Sequence, residues 1–259
     1  MHPADSLLLR IDRYLDAAPR SVALIQECGP FTAFVRTDID IPQLSYARPT
    51  HPYPQFTRGD IESVREFYQS QGRLCRWEFL QELAPDLPAA LAAAGFSQPT
   101  PLPLMVVTPQ TFSPATACHA EVRSLTEDDA QAVSRALHLA YGGAEDEDAA
   151  DMITGTLRRG GTVYGAFVNG AAVGGGSLIP HCDTAEVAGI GTHPGFRRRG
   201  IASAVTSMLV EHAFHSGISC IFLSAADATV AAIYARLGFV PVGVAMESSD
   251  LETPAASAG

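Results

Sequence analysis

The sequence predicts an α/β chain in two related halves, and three observations carry that prediction. Between residues 184 and 217 an apolar strand runs into an arginine-glycine loop that opens an amphipathic helix. Asn169-Gly170 joins two strand-like runs, Thr162–Val168 and Ala171–Leu178, in a manner that specifies a tight hairpin. A fainter version of the same strand, loop and helix outline recurs between residues 58 and 96.

The strand over 184–192 is rich in small and apolar residues, is interrupted by Gly189 and Gly191, and is ended by Pro194. Glycine inside a strand marks a bulge or a close backbone approach. In the helix that follows, Ile201, Val205, Met208, Leu209 and His212 recur at helical spacing, and Gly217 supplies the stop. A helix start leaves about four backbone N–H groups without partners and carries about half a positive charge, so it suits an anion. Gly200 has no Cβ to hold a phosphate away, Ala202 is the next smallest choice, and Ser203 completes the first turn. Arg197, Arg198 and Arg199 add positive charge there, in a chain of formal net charge −11. Three adjacent side chains cannot all face one ligand. The segment from Arg197 through Ile201 to Ser203 therefore reads as a pyrophosphate seat.

Around it the second half begins near Cys118 with a strand over Ala120–Leu125. Thr126 then caps a helix with acids in its first turn that reaches about Ala140, and a second helix is expected at about Glu147–Arg159. After the hairpin and the seat come a strand over Ile218–Ser224 and a helix over Asp227–Leu237 that stops at Gly238-Phe239. The order is β-α-α-β-β-β-α-β-α-β.

Two stretches resemble the GNAT acyltransferases. Arg197-x-x-Gly200-x-Ala202 matches their [Gln/Arg]-x-x-Gly-x-[Gly/Ala] signature, and Ile233-Tyr234-Ala235-Arg236-Leu237-Gly238-Phe239 resembles their closing motif. Asp227 and Val230 depart from the Asn and Ala common in that motif. The resemblance implies a mixed central sheet flanked by helices, with acetyl-CoA as co-substrate and no metal. It implies that the strand splays from its neighbour, so that Ile190, Gly191 and Thr192 offer backbone groups to pantetheine, with Asp227 and Tyr234 beside the cofactor. A carboxylate at 227 can accept a hydrogen bond but cannot donate one.

Acyl transfer to an amine needs a neutral amine, a donor for the oxyanion and an acid for the leaving thiolate. Tyr234 is the expected acid, since a phenol with an ordinary pKa near 10 stays protonated at neutral pH. Glu186 is the base that the resemblance implies, since it stands six residues before Thr192, where one branch of the family has a glutamate that deprotonates the amine through water. It shares a face with Ile190 and Thr192 by period-two alternation unless a glycine bulge resets that face, and a solvated carboxylate at a strand start is the competing reading. Ser224 is read as a cap of the following helix, and His181 and His193 as solvated turn residues. No metal-ligand spacing occurs.

The N-terminal half repeats the outline without the chemistry. Leu91-Ala92-Ala93-Ala94-Gly95-Phe96 parallels the closing motif, and Arg58-Gly59 opens a helix over Asp60–Gln71 as Arg199-Gly200 does. Leu91 replaces the tyrosine, Phe56 the loop Gln or Arg, and the β-branched Ile61 occupies the small-residue position, where it crowds a diphosphate. The division expected is a degenerate GNAT-like half over 1–117, a catalytic domain over 118–250 and a disordered tail over 251–259. Prolines at 99, 101, 103, 109 and 114 flank a last strand at Leu104–Thr108, and Trp77 is expected in the core of the first half.

The excess of 28 acidic over 17 basic residues argues against nucleic-acid or anionic-membrane partners and favours a cationic amine as acceptor. The acid run Glu145-Asp146-Glu147-Asp148 with Asp151 is either a solvated face or an attractor for such an amine. Five scattered cysteines and the absence of a basic–apolar leader point to a cytoplasmic protein with free thiols. Homodimerisation stays open. The expected activity is acyl-CoA-dependent N-acyltransfer, from acetyl-CoA or a longer acyl-CoA. The alternative is a non-catalytic acyl-CoA-binding sensor or protein-interaction module on the same fold.

Overall fold

The structure is a computed structural model and describes residues 3–39, 41–50, 53, 55–116, 118–145 and 152–250. In chain order the elements are α1 (Pro3–Ala17), β1 (Leu24–Cys28), β2 (Phe31–Val35), β3 (Tyr46–Pro49), α2 (Arg58–Ser70), β4 (Arg76–Leu80), α3 (Leu87–Ala93), β5 (Thr100–Val107), β6 (Glu121–Ser124), α4 (Ala130–Ala140), α5 (Met152–Arg158), β7 (Thr162–Val168), β8 (Ala171–His181), β9 (Thr184–Thr192), α6 (Ile201–His215), β10 (Cys220–Ser224), α7 (Ala228–Ala235) and β11 (Val240–Ser249). They fall into two compact units. One runs to Pro103 and resumes at Gly243; the other is Leu104–Val242.

The second unit orders its strands β5-β10-β9-β8-β7-β6, parallel between β9 and β10 and antiparallel elsewhere. Its hairpin turns at Asn169 and Gly170, both at positive φ (50° and 80°), the pair of left-handed residues that a two-residue turn requires. Glycine shapes the sheet as well. Gly165, Gly175 and Gly191 stand opposite one another across β7, β8 and β9. A Cβ on Gly175 would meet Val133 at 2.8 Å, and one on Gly191 would meet Leu137 at 2.8 Å, so this row lets α4 lie close on the strands. The opposite face packs α6, with Ala185, Val187, Val205, Leu209 and Ile221 in one buried cluster. Helix α6 ends as its Gly217 predicts, at φ 82°, with the Ile218 N–H donating to the Ala213 carbonyl. That closure delays the next strand to Cys220, two residues after its expected start.

The first unit orders its strands β1-β2-β3-β4-β11, parallel only between β3 and β4. Trp77 is fully buried there, edge-on to Phe31 at 4.8 Å and to Phe96 at 5.9 Å. Each unit thus repeats one plan: three antiparallel strands, a helix into a parallel strand, a second helix, and an antiparallel closing strand. The closing strands are exchanged. Strand β5, which follows α3, pairs its residues Leu104–Val107 with β10, whereas β11, which follows α7, pairs Ala245–Ser249 with β4.

This exchange moves the boundaries away from 117/118. Residues 104–117, expected in the first half, begin the second unit, where Ser113 N–H donates to Leu237 and Ala115 N–H to the Ser207 hydroxyl. Residues 243–250, expected in the second, complete the first. Strand pairing between segments more than a hundred residues apart leaves no local pattern. The helix expected at 147–159 is described over Met152–Arg158. Of the acid run, Glu145 is an exposed turn residue, while Asp146, Glu147, Asp148 and Asp151 lie outside the described residues, as does the tail 251–259.

Candidate active site

Strands β9 and β10 pair only over Thr184–Glu186, with Glu186 opposite Phe222. Beyond that point β9 keeps β8 on one side and loses β10 on the other, so the two strands fork. Pairing with β8 shifts register between Gly175 and Ser177, opposite a bulge at Gly189, whose φ is +64°. The bulge resets the faces. Ile190 packs into the α6-side cluster with Ala185 and Val187, and Glu186 and Ala188 lie on the other face. Glu186 therefore does not share a side with Ile190 and Thr192 as unbroken alternation would have it. It stands half-buried at the base of the fork, and burial raises its carboxyl from the ordinary 4.5 to about 7. Among the described residues nothing donates a hydrogen bond to it.

The seat itself lies at the start of α6. Arg198 and Gly200 both adopt positive φ (61° and 77°), and Gly200 is the N-cap, with no side chain capping the helix. Among the described residues the backbone N–H groups from Arg198 to Ser203 have no protein acceptor. Such a row of aligned donors at a positive dipole end is suited to a diphosphate. A second orphan lies nearby: the Thr192 hydroxyl is buried without a partner. The residues thus fit the phosphate and amide arm of a coenzyme A thioester.

The arginines divide their work unevenly. Arg197 donates from Nη2 to the Ala140 carbonyl (2.8 Å) and from Nε to the Thr192 carbonyl (3.4 Å), so its guanidinium is engaged by backbone. Arg199 donates to the Gly195 carbonyl and lies over the Phe196 ring. Arg198 is exposed in the loop.

Tyr234 is buried on α7, 5.8 Å from the Phe239 ring, and its hydroxyl has no partner among the described residues. Burial, then the neighbouring phenol of Tyr141, push its pKa above the ordinary 10, so it remains protonated across the physiological range. Asp227 is the N-cap of α7, accepting from the Val230 N–H at 2.7 Å. It therefore takes the capping role expected of Ser224, which is instead the exposed last residue of β10. His193 accepts from the Gly195 N–H before a short 3-10 turn, and His181 ends β8 at the hairpin to β9.

Sequence reasoning missed Tyr141. Its hydroxyl donates to the Ile190 carbonyl at 3.1 Å, bringing the end of α4 against β9 across a sequence separation of 49. The only local signal is that it closes a helix before Gly142-Gly143.

The corresponding positions of the first unit are filled. Helix α2 is capped by a reciprocal box, in which the Thr57 hydroxyl accepts from the Asp60 N–H and the Asp60 carboxylate accepts from the Thr57 N–H. Ile61 is buried at the small-residue position, and past the β3/β4 pairing the buried Arg48 forms an ion pair with Asp12. A carboxylate already occupies this helix start, and it repels the anion that α6 is open to receive.

Comparison with known proteins agrees with this geometry. A model of the acetyltransferase (GNAT) family matches residues 123–239. The matched stretch lies within the second unit. A GCN5-related N-acetyltransferase from Kribbella flavida is similar over 94% of this chain and 95% of its own, at 22% identity and a TM-score of 0.75. One from Sphaerobacter thermophilus is similar over 85% and 76%, at 14% identity and 0.63. A tandem GNAT protein from the clavulanic acid biosynthesis pathway is similar over 85% and 78%, at 16% identity and 0.58. At identities under 25% this likeness shows a fold shared with these proteins over most of the chain. No curated protein sequence matches the chain. GNAT proteins in general use acetyl-CoA and an acceptor. Among the described residues no helix is long and apolar enough to cross a membrane, and no group of three or more His, Cys, Asp or Glu could hold a metal ion.

Proposed function

We propose that this protein is an acyl-CoA-dependent N-acyltransferase that moves an acetyl group onto a primary amine of a small molecule or peptide, using the second unit alone. The observation that carries the proposal is the open row of N–H donors from Arg198 to Ser203, beside a strand fork with a half-buried carboxylate at its base. The coenzyme would supply an activated thioester carbonyl. The N–H row and the Arg198 charge would hold its diphosphate, and Ile190 and Thr192 would face its amide arm, whereas Gly191, expected beside them, turns its backbone groups toward β8. Arg199 and Ala202 would flank the diphosphate, and Ile201 anchors the helix start in the core.

Glu186, half-protonated near pH 7, is suited to take a proton from an ammonium acceptor, directly or through water. Tyr234 is suited to give a proton to the departing thiolate, because its buried phenol holds that proton. Asp227 would act indirectly, by fixing the start of the helix that carries Tyr234. The first unit, with its filled helix start, would bind no second coenzyme.

The test is to mix purified protein with acetyl-CoA and a panel of amines and to follow thiol release. Release with at least one amine class is expected. Tight CoA binding with no release across broad amine classes would replace the enzyme by an acyl-CoA sensor.

A further inference from the structure

Strand β9 past the fork has backbone groups with no strand to meet them. The His193 N–H donates to the Val173 carbonyl on β8, and strand alternation turns His193 and Gly191 toward β8 and Thr192 and Ile190 toward the open side. Both open-side carbonyls nevertheless have donors. The Tyr141 hydroxyl holds that of Ile190 (3.1 Å) and Arg197 Nε that of Thr192 (3.4 Å). Arg197 also holds the Ala140 carbonyl (2.8 Å) at the C-terminal end of α4, where carbonyls have no helical partner. Two side chains thus tie the end of α4 to the edge of β9.

The two ties differ in what releasing them costs. Arg197 makes two bonds to separate segments. Tyr141 makes one, from a residue 63% exposed overall, although its phenol is sheltered enough for burial to raise its pKa, and it is followed directly by Gly142 at φ 91°. Swinging that ring away gives up a single neutral hydrogen bond.

We propose that Tyr141 is a positioning residue of the acyl-CoA site: its hydroxyl occupies the Ile190 carbonyl in the free protein and yields it to the coenzyme's amide N–H on binding. This rests on the acyl-CoA reading above. An extended arm bearing amides is the ligand that an open strand edge takes, since it can add to the edge as a further strand would. The Tyr141 hydroxyl stands in for the N–H of that arm, so the two compete for one acceptor. Only the fraction of molecules with the latch open is competent to bind, and the apparent dissociation constant is raised by that fraction. Arg197 keeps the end of α4 in place meanwhile.

The experiment is CoA titration by calorimetry of the full chain and of Tyr141→Phe, which keeps the ring and removes the donor. A net hydrogen bond of ordinary strength corresponds to binding about two- to tenfold tighter in the variant. The Michaelis constant for acetyl-CoA is expected to fall by the same factor, with that for the amine unchanged. A residue that merely supports the fold would leave these constants alone or weaken binding. Equal or weaker CoA binding by Tyr141→Phe, with the wild type binding well, overturns the latch and leaves the acyl-CoA reading intact. Absence of CoA binding by the wild type overturns both.

Discussion

Glu186 gives the sharpest quantitative prediction. Its carboxyl is raised from 4.5 to about 7 by burial at the base of the fork, with no compensating donor among the described residues. At about 1.4 kcal/mol per pH unit, that difference corresponds to about 3 kcal/mol for holding the charged form there. The sign follows from proton binding. Between pH 4.5 and about 7 the folded protein holds a proton that the unfolded chain has released, so raising the pH through this window destabilises the fold. The stabilisation by the neutral form is complete below about 4.5 and lost above about 7. Glu186→Gln removes the linkage. Urea unfolding of both proteins, followed by circular dichroism from pH 4.5 to 8, should show the variant gaining on the wild type by up to about 3 kcal/mol over that range. The carbon shift of the Glu186 carboxyl should titrate with a midpoint near 7, and kcat/KM should rise through the same midpoint if this group takes the proton. Parallel stability curves together with a midpoint below 5 would refute the desolvation reasoning.

Three further outcomes are expected. Tyr234→Phe should slow thiol release by about a hundredfold or more, the usual contribution of a general acid, while CoA still binds in calorimetry. Gly200→Ala places a side chain on a residue at φ 77°, which costs about 1–2 kcal/mol, and adds a methyl at the mouth of the donor row, so CoA binding should weaken at least tenfold. Thr57→Ala removes the cap of α2 and should cost about 1 kcal/mol in denaturant unfolding. Its CoA stoichiometry should stay at one per chain, whereas a second bound CoA in that variant would show that the cap alone had been closing a second seat.

Much of the second unit was legible because its signals are local. Helix α6 follows the spacing of Ile201, Val205 and Leu209, strand β9 falls at its expected limits, and the hairpin turns at Asn169-Gly170. The seat was legible for the same reason: Gly200 and Ala202 are a local solution to a local problem of room and φ. Within the first half, Ile61 and Leu91 already marked the worn copy, and both are buried core residues.

What the tertiary structure decided depends on contacts between distant segments. Sequence could not say that β5 closes the second unit and β11 the first, because either strand satisfies the same pattern in either place. It predicted a glycine interruption of β9 but not which face Glu186 would take, since one bulged residue inverts every side chain beyond it. It marked Arg197, Arg198 and Arg199 as a phosphate-binding cluster without saying which of them faces the ligand, and the chain folds Arg197 onto the carbonyls of Ala140 and Thr192, which only the packing of α4 brings within reach. Local chemistry specified a place for an anion. The fold decided which neighbouring groups are free to meet the rest of the molecule attached to it.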